Sequence, residues 1–217
     1  MSFISSQVTP GGIVMSADRC TSAYALNAQG RPALVSIGRN AEKIHVTQNN
    51  IGISSCGAGS VGNVPMEQCI YEFIYGLDYD KYKTPFDVAQ KFRDYIRNLD
   101  PKINADFQIG GYDMTDKEHP KPALYRIDMP TNTFDKANHS NLYEGAYFSS
   151  PSNFTYEIFK RIKFMYAGTN IRQAVDFAKF ASETTRLMMR FSGEGDSISK
   201  EIDLLIIKPF GHEWVEA

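Results

Sequence analysis

With 217 residues and a net charge of −2, the chain has room for one large buried core and no charge excess to draw it to nucleic acid or an anionic membrane. Its 42% hydrophobic and 22% charged residues are those of an ordinary globular protein; no apolar run approaches the roughly 20 residues of a membrane span, and the N-terminus lacks a signal-peptide pattern. Cys20, Cys56 and Cys69 are too few and odd in number for a disulfide framework, and the four histidines lack HxxxH spacing, so the expectation is a reducing cytoplasm with no metal and no cofactor.

The first quarter reads as strands. "SFISSQVT", the turn signal "PGG" and the run "IVMSA" make a hairpin; "PALVSIG" follows the turn "NAQGRP", and "KIHVTQ" pairs with "IGISSC" across "NN". Helical spacing then takes over. Met66, Ile70, Phe73, Ile74 and Leu77 predict a helix over 64–77. Thr84-Pro85 opens a second over 85–99, with Val88, Phe92, Tyr95, Ile96 and Leu99 on one face. "ADFQIGGYD", "ALYRID" and "YEGAYF" return to strand. Helices are predicted over 153–166 and from Thr169 to about Arg190, the latter with a stripe of Ile171, Ala174, Ala178, Ala181, Thr185 and Met188. "SGEG" ends it and "EIDLLIIK" is the last strand. Strands and helices are segregated, which predicts one α+β domain over residues 1–217, with two antiparallel sheets between two helical layers.

Several residues invite chemistry. "GAGSVG", Gly57 to Gly62, matches the GxGxxG pattern, but a dinucleotide site also needs a parallel strand returning within about 30 residues, and a second helix follows instead. The same glycines could leave backbone N–H groups open at a strand end, suited to a developing oxyanion. Ser2 is either the inert start of a strand or, after removal of Met1, a nucleophile whose α-amino group is its own base. With the turn on Gly11-Gly12, Ser2 is expected opposite about Thr21, near Asp18. Asp18 follows an apolar run and needs a cation, for which Lys43 is the candidate. A surface Asp–Lys pair is the plain alternative.

Taken together, "GGIVMSADR", "EKIHVTQNNIGISSCGAGS", "DFQIGGYD" and the Ala-rich helix ending in "FSG" resemble, in that order, the proteasome β-subunit and bacterial proteasome-like group of N-terminal nucleophile hydrolases. Counting back nine residues from Gly11, or sixteen from Asp18, reaches the family nucleophile at Ser2 both ways. The resemblance implies a four-layer αββα sandwich and peptide-bond hydrolysis by Ser2 once Met1 is removed, a step that serine is small enough to allow. It assigns Asp18 and Lys43 to the charge beside the nucleophile and the Gly57 N–H to the oxyanion hole. It implies a peptide or protein substrate, a homo-oligomeric ring or stack, and an ATPase unfoldase as partner. Between Asp18 and Lys43, "ALNAQGRPA" reads as an inserted longer hairpin.

Three positions depart from that pattern: serine replaces the usual threonine, the second aspartate falls on Met189, and a Gly-Ser-Gly turn appears only as "FSSPS", Ser149 and Ser150 included. They support an alternative, a catalytically degenerate structural subunit. A further alternative starts at "CTSAYALNAQGRPALVSIGRN", similar to the opening of choloylglycine-hydrolase-like amidases. There residues 1–19 would be a propeptide and Cys20 the nucleophile, although the acidic residue after "GRN" is missing.

Overall fold

The computed structural model describes residues 2–26, 29, 32–138, 145–149, 169–191 and 198–216. It opens with a hairpin of β1 (Ile4–Thr9) and β2 (Gly12–Asp18), followed by a second of β3 (Thr21–Leu26) and β4 (Pro32–Gly38). Next come β5 (Ile44–Val46), β6 (Gly52–Gly57) and the two-residue strands β7 (Ser60–Val61) and β8 (Val64–Pro65). Helices α1 (Met66–Tyr75) and α2 (Pro85–Leu99) lead to β9 (Ala105–Asp113), β10 (Lys121–Asp128), β11 (Thr133–Lys136) and β12 (Gly145–Ser149). Helix α3 (Ile171–Phe191) precedes β13 (Ile202–Lys208) and β14 (Gly211–Val215). The helix expected over 153–166, the "SGEG" stop and Ser150 lie outside the described residues.

Two five-stranded antiparallel sheets form the centre, one ordered β12-β1-β2-β13-β14 and the other β11-β10-β9-β6-β5. Strand alternation sends Ile4, Val8, Ile13 and Met15 of the first sheet against Ile44, Cys56 and Leu124 of the second, filling the space between sheets. The opposite face of the second sheet carries Ile53, Phe107 and Ile109 into a cluster with Ile70 and Phe73 of α1 and Val88, Phe92 and Ile96 of α2. Phe92 is fully buried there, edge-on to both Phe73 and Phe107 at 4.9 Å. Across the molecule Ala174 and Ala178 of α3 pack on Val14, Leu204 and Ile206 of the first sheet. The fold is therefore α+β, a four-layer αββα sandwich.

Local chemistry sets the boundaries. Thr84 and Asp87 form a capping box at the start of α2, with Pro85 in its first turn. Asn170 and Gln173 exchange side-chain to backbone bonds, both 3.0 Å, at the start of α3. The buried stripe of α3 ends on Met189, not on Met188 as its sequence suggested: Met189 follows Thr185 by four residues and keeps to the same face.

The first hairpin also differs from expectation. Thr9 pairs with Gly12, so the chain turns on Pro10-Gly11 and the register moves by two residues. Pro10 pre-sets the backbone at the first turn position, and the Thr9 hydroxyl locks the closing pair by donating to the Gly12 carbonyl at 3.0 Å. As a result it is Asp18, rather than Thr21, that meets the start of β1: its N–H donates to the Phe3 carbonyl at 3.1 Å.

Candidate active site

Asp18 ends β2 with no exposed surface. A bare carboxylate there would cost several kcal/mol, and three donors offset that cost. Its Oδ1 accepts from the Phe3 N–H at 2.7 Å and from Lys43 Nζ at 2.8 Å, while its Oδ2 accepts from the Cys20 N–H at 2.8 Å. Lys43, just before β5, is buried as well, so this is an internal ion pair rather than a surface one. Arg19 anchors the turn that follows: its N–H donates to Ser199 Oγ at 2.7 Å and its Nε to Asp203 Oδ1 at 2.8 Å.

Ser2 precedes β1 and is 7% exposed. Its carbonyl accepts a bond from the Cys56 thiol at 3.0 Å, and the same sulfur lies 3.9 Å from the Ser149 carbonyl. Burial, followed by the nearby Asp106 charge, pushes the Cys56 thiol up to about 12, so it stays protonated and acts as a donor. Ser149 is also reached by Gln108 Nε2, at 3.3 Å from its hydroxyl. Sequence reasoning missed Cys56 as a contact of Ser2. The available signal was its place directly before Gly57, on the strand face turned toward the first sheet.

Gly57 holds φ at +100°, and a Cβ there would sit 2.5 Å from the Asn104 carbonyl oxygen, so only glycine fits. Next to it Ala58 N donates to Asn104 O at 2.8 Å. Bonded and non-bonded pairs alternate in an antiparallel ladder, which makes Gly57–Ala105 a non-bonded pair and turns the Gly57 N–H away from β9. It points to the β5 edge, where Ser55 N donates to Lys43 O at 3.0 Å. A pocket of about 110 Å³ opens there, lined by Ser2, Lys43 and Gly57 together with Thr21, Ser55 and Glu67 among others. Of the four residues singled out from sequence, Ser2, Lys43 and Gly57 share this pocket, and Asp18 is bonded to Lys43.

Two readings fall. Cleavage before Cys20 would remove β1 and β2, interior strands of the first sheet that carry Ile4, Val8, Ile13 and Met15 into the core. Cys20 is itself fully buried, and burial and then Asp18 raise its thiol pKa, the wrong direction for a nucleophile. The amidase reading with Cys20 is corrected on these grounds. The nucleotide reading of "GAGSVG" fails because β6 runs into the β7–β8 turn and its partner β9 returns antiparallel. Among the described residues no group of three His, Cys, Asp or Glu side chains is placed to hold a metal ion.

Stacked antiparallel sheets between helical layers, with the first strand beginning beside this pocket, give the chain a proteasome-like αββα fold, the fold type seen in N-terminal nucleophile hydrolases. Three solved structures share it. The Anbu (Gly-1) mutant from Hyphomicrobium sp. strain MC1 superposes with a TM-score of 0.70 at 15% identity, over 100% of this chain and 88% of that one. Anbu from Yersinia bercovieri, described as an ancestral beta-subunit, gives 0.69 at 14%, over 99% and 87%. A further Anbu structure from the Hyphomicrobium strain gives 0.67 at 17%, over 99% and 88%. No family model matches the sequence, and no curated protein does. The resemblance to proteasome β-subunits is corrected accordingly: the neighbours are Anbu proteins, and at this identity the likeness is one of fold.

Proposed function

We propose that the chain is a hydrolase of peptide bonds in which Ser2, freed by removal of Met1, is the nucleophile. The observation that carries this reading is the convergence of Ser2, Lys43 and the Gly57 N–H edge on one pocket, with Lys43 held by Asp18.

The chemistry follows from those groups. A free α-amino group has a pKa of about 7.7–8.0, so a sizeable neutral fraction at pH 7 can accept the hydroxyl proton of the same residue. Ser2 Oγ attacks the scissile carbonyl carbon, and the Lys43 ammonium favours the attacking oxygen's anionic form. The carbonyl oxygen takes the negative charge and receives the Gly57 N–H. Collapse breaks the C–N bond; the leaving amine takes the proton from the α-ammonium group, and an ester on Ser2 remains. Water then attacks the ester with the α-amine again as base, releasing the acid and restoring Ser2.

The test is turnover of a fluorogenic peptide-amide library by wild type and Ser2→Ala, both with Met1 confirmed absent. Ser2→Ala keeps the amine and removes only the attacking oxygen, so it should be inactive; equal rates for the two would end the proposal.

A second reading, a non-catalytic structural subunit, draws on Met189. It is fully buried against Phe3, Ala181 and Ile198, an apolar cluster beside Ser2 where the proteasome pattern has a carboxylate. For either reading we propose a homo-oligomer, supported by the exposed aromatic side chains Tyr75, Phe180 and Phe191 on two outer helices. No helix among the described residues is long and apolar enough to cross a membrane.

A further inference from the structure

The lining of the Ser2 pocket holds more carboxylates than basic side chains. Glu42 and Glu67 both line it, and neither has an ion-pair partner among the described residues. The two carboxylates meet at one phenol. Tyr71 OH donates to Glu42 Oε2 at 2.6 Å, and Glu67 sits one turn before Tyr71 on the same face of α1. The Tyr71 hydroxyl registers both: the Glu42 bond first, then burial and the charges of Glu42 and Glu67, push its pKa up to about 12. Lys43 is the only basic side chain in the lining among the described residues, and its ammonium is already committed to Asp18.

Two hydroxyls in the same lining have no partner. Ser55 is 8% exposed and shares its strand face with Ile53, which packs toward α1, so it is directed to the side where Glu67 stands. Its N–H donates to Lys43 O, but its hydroxyl makes no hydrogen bond among the described residues. Ser22 Oγ is buried and equally unsatisfied. An apolar side chain entering this space would strip water from two carboxylates and leave both hydroxyls unpaired, which is unfavourable on each count. A guanidinium or ammonium head carries several N–H donors and the missing charge, and it answers all four groups at once.

We infer that this pocket selects a basic side chain, Arg or Lys, at the substrate residue whose carbonyl is attacked. Glu42 and Glu67 supply the charge, and Ser55 lines the approach. The inference rests on the reading of Ser2 as nucleophile, because that reading sets which substrate residue lies next to the pocket.

Binding and chemistry are read separately. Two fluorescent peptide amides, identical except for Arg or Leu at the residue before the scissile bond, are titrated against Ser2→Ala, and turnover of the same pair is measured on the Met1-free chain. The Arg peptide should bind at least about tenfold tighter, and Glu67→Gln or Glu42→Gln, each in the Ser2→Ala background, should bring the Arg/Leu ratio down toward one. Equal or tighter binding of the Leu peptide overturns the inference, as does an Arg preference that both carboxamide variants retain. Arg-selective binding without turnover by the Met1-free chain rejects Ser2 as nucleophile and leaves the pocket's preference standing. Turnover without Arg preference does the reverse.

Discussion

The Cys56 thiol donates to the Ser2 carbonyl at 3.0 Å, tying the start of β1 to the far sheet at the point where the candidate nucleophile sits. Held at about 12 by burial, this thiol should resist alkylation in the native protein at pH 8 and react only after unfolding. Cys56→Ser keeps a donor of similar size and should retain most of the peptidase rate. Cys56→Val removes the donor and should lower kcat about tenfold with KM little changed, because it loosens Ser2 rather than the substrate pocket. Steady-state kinetics of the two variants check the pairing, and equal kcat values would show that the bond does not position Ser2.

The Asp18–Lys43 pair should matter to stability as well as to chemistry. Lys43→Ala strands a fully buried carboxylate and should cost about 3–5 kcal/mol in urea unfolding. Asp18→Asn combined with Lys43→Met should cost less than the two single losses summed, since no lone charge is then left inside. An additive double variant would mean that the two groups do not interact as the 2.8 Å contact indicates.

Much of this architecture was legible in the sequence. Thr84-Pro85 announces α2, the alanine stripe announces α3, and "IGISSC" behind "NN" announces β6, because each signal is local. What escaped was non-local or weakly patterned. β14, "GHEWV", is a mostly exposed edge strand whose polar residues carry no alternation, and β11, "TFDK", is four residues long. The two-residue error in the first hairpin came from choosing between adjacent glycines. Proline decided it by taking the first turn position, and the partner of Ser2's neighbour changed with it. Glu42 and Glu67 read as ordinary surface residues, since only the packing of α1 against the β5 end brings them to one pocket, with Tyr71 bonded to Glu42.

Gly57→Ala tests the backbone at the proposed oxyanion donor. At φ +100° with a carbonyl 2.5 Å from the added carbon, the substitution should cost at least about 1–3 kcal/mol from strain alone. Thermal or urea unfolding measures it. A loss below about 0.5 kcal/mol would mean that the strand end relaxes freely and does not hold the N–H in a fixed direction.

His45 gives the fold an acid sensitivity. Burial lowers its pKa, with Glu42 opposing, and its Nε2 has no partner among the described residues. The unfolded chain, with its histidine near 6.5, therefore binds a proton before the native state does, so stability should be full above about pH 7 and fall as pH drops through about 6.5. His45→Phe should flatten that limb of the urea midpoint against pH; an unchanged slope would assign it to other groups. Activity should follow a separate curve, rising to a plateau above about pH 8 as the α-amino group loses its proton.

The most direct measurement is the site of acylation. A peptide bearing a β-lactone transfers its acyl group to an attacking oxygen by ring opening, so the adduct stays on the nucleophile and can be located by mass spectrometry of the intact and digested protein. The account predicts a chain that begins at Ser2, one adduct on the Ser2 hydroxyl, and no labelling of Ser2→Ala under the same conditions. Retention of Met1, an adduct on another residue, or equal labelling of Ser2→Ala would contradict it.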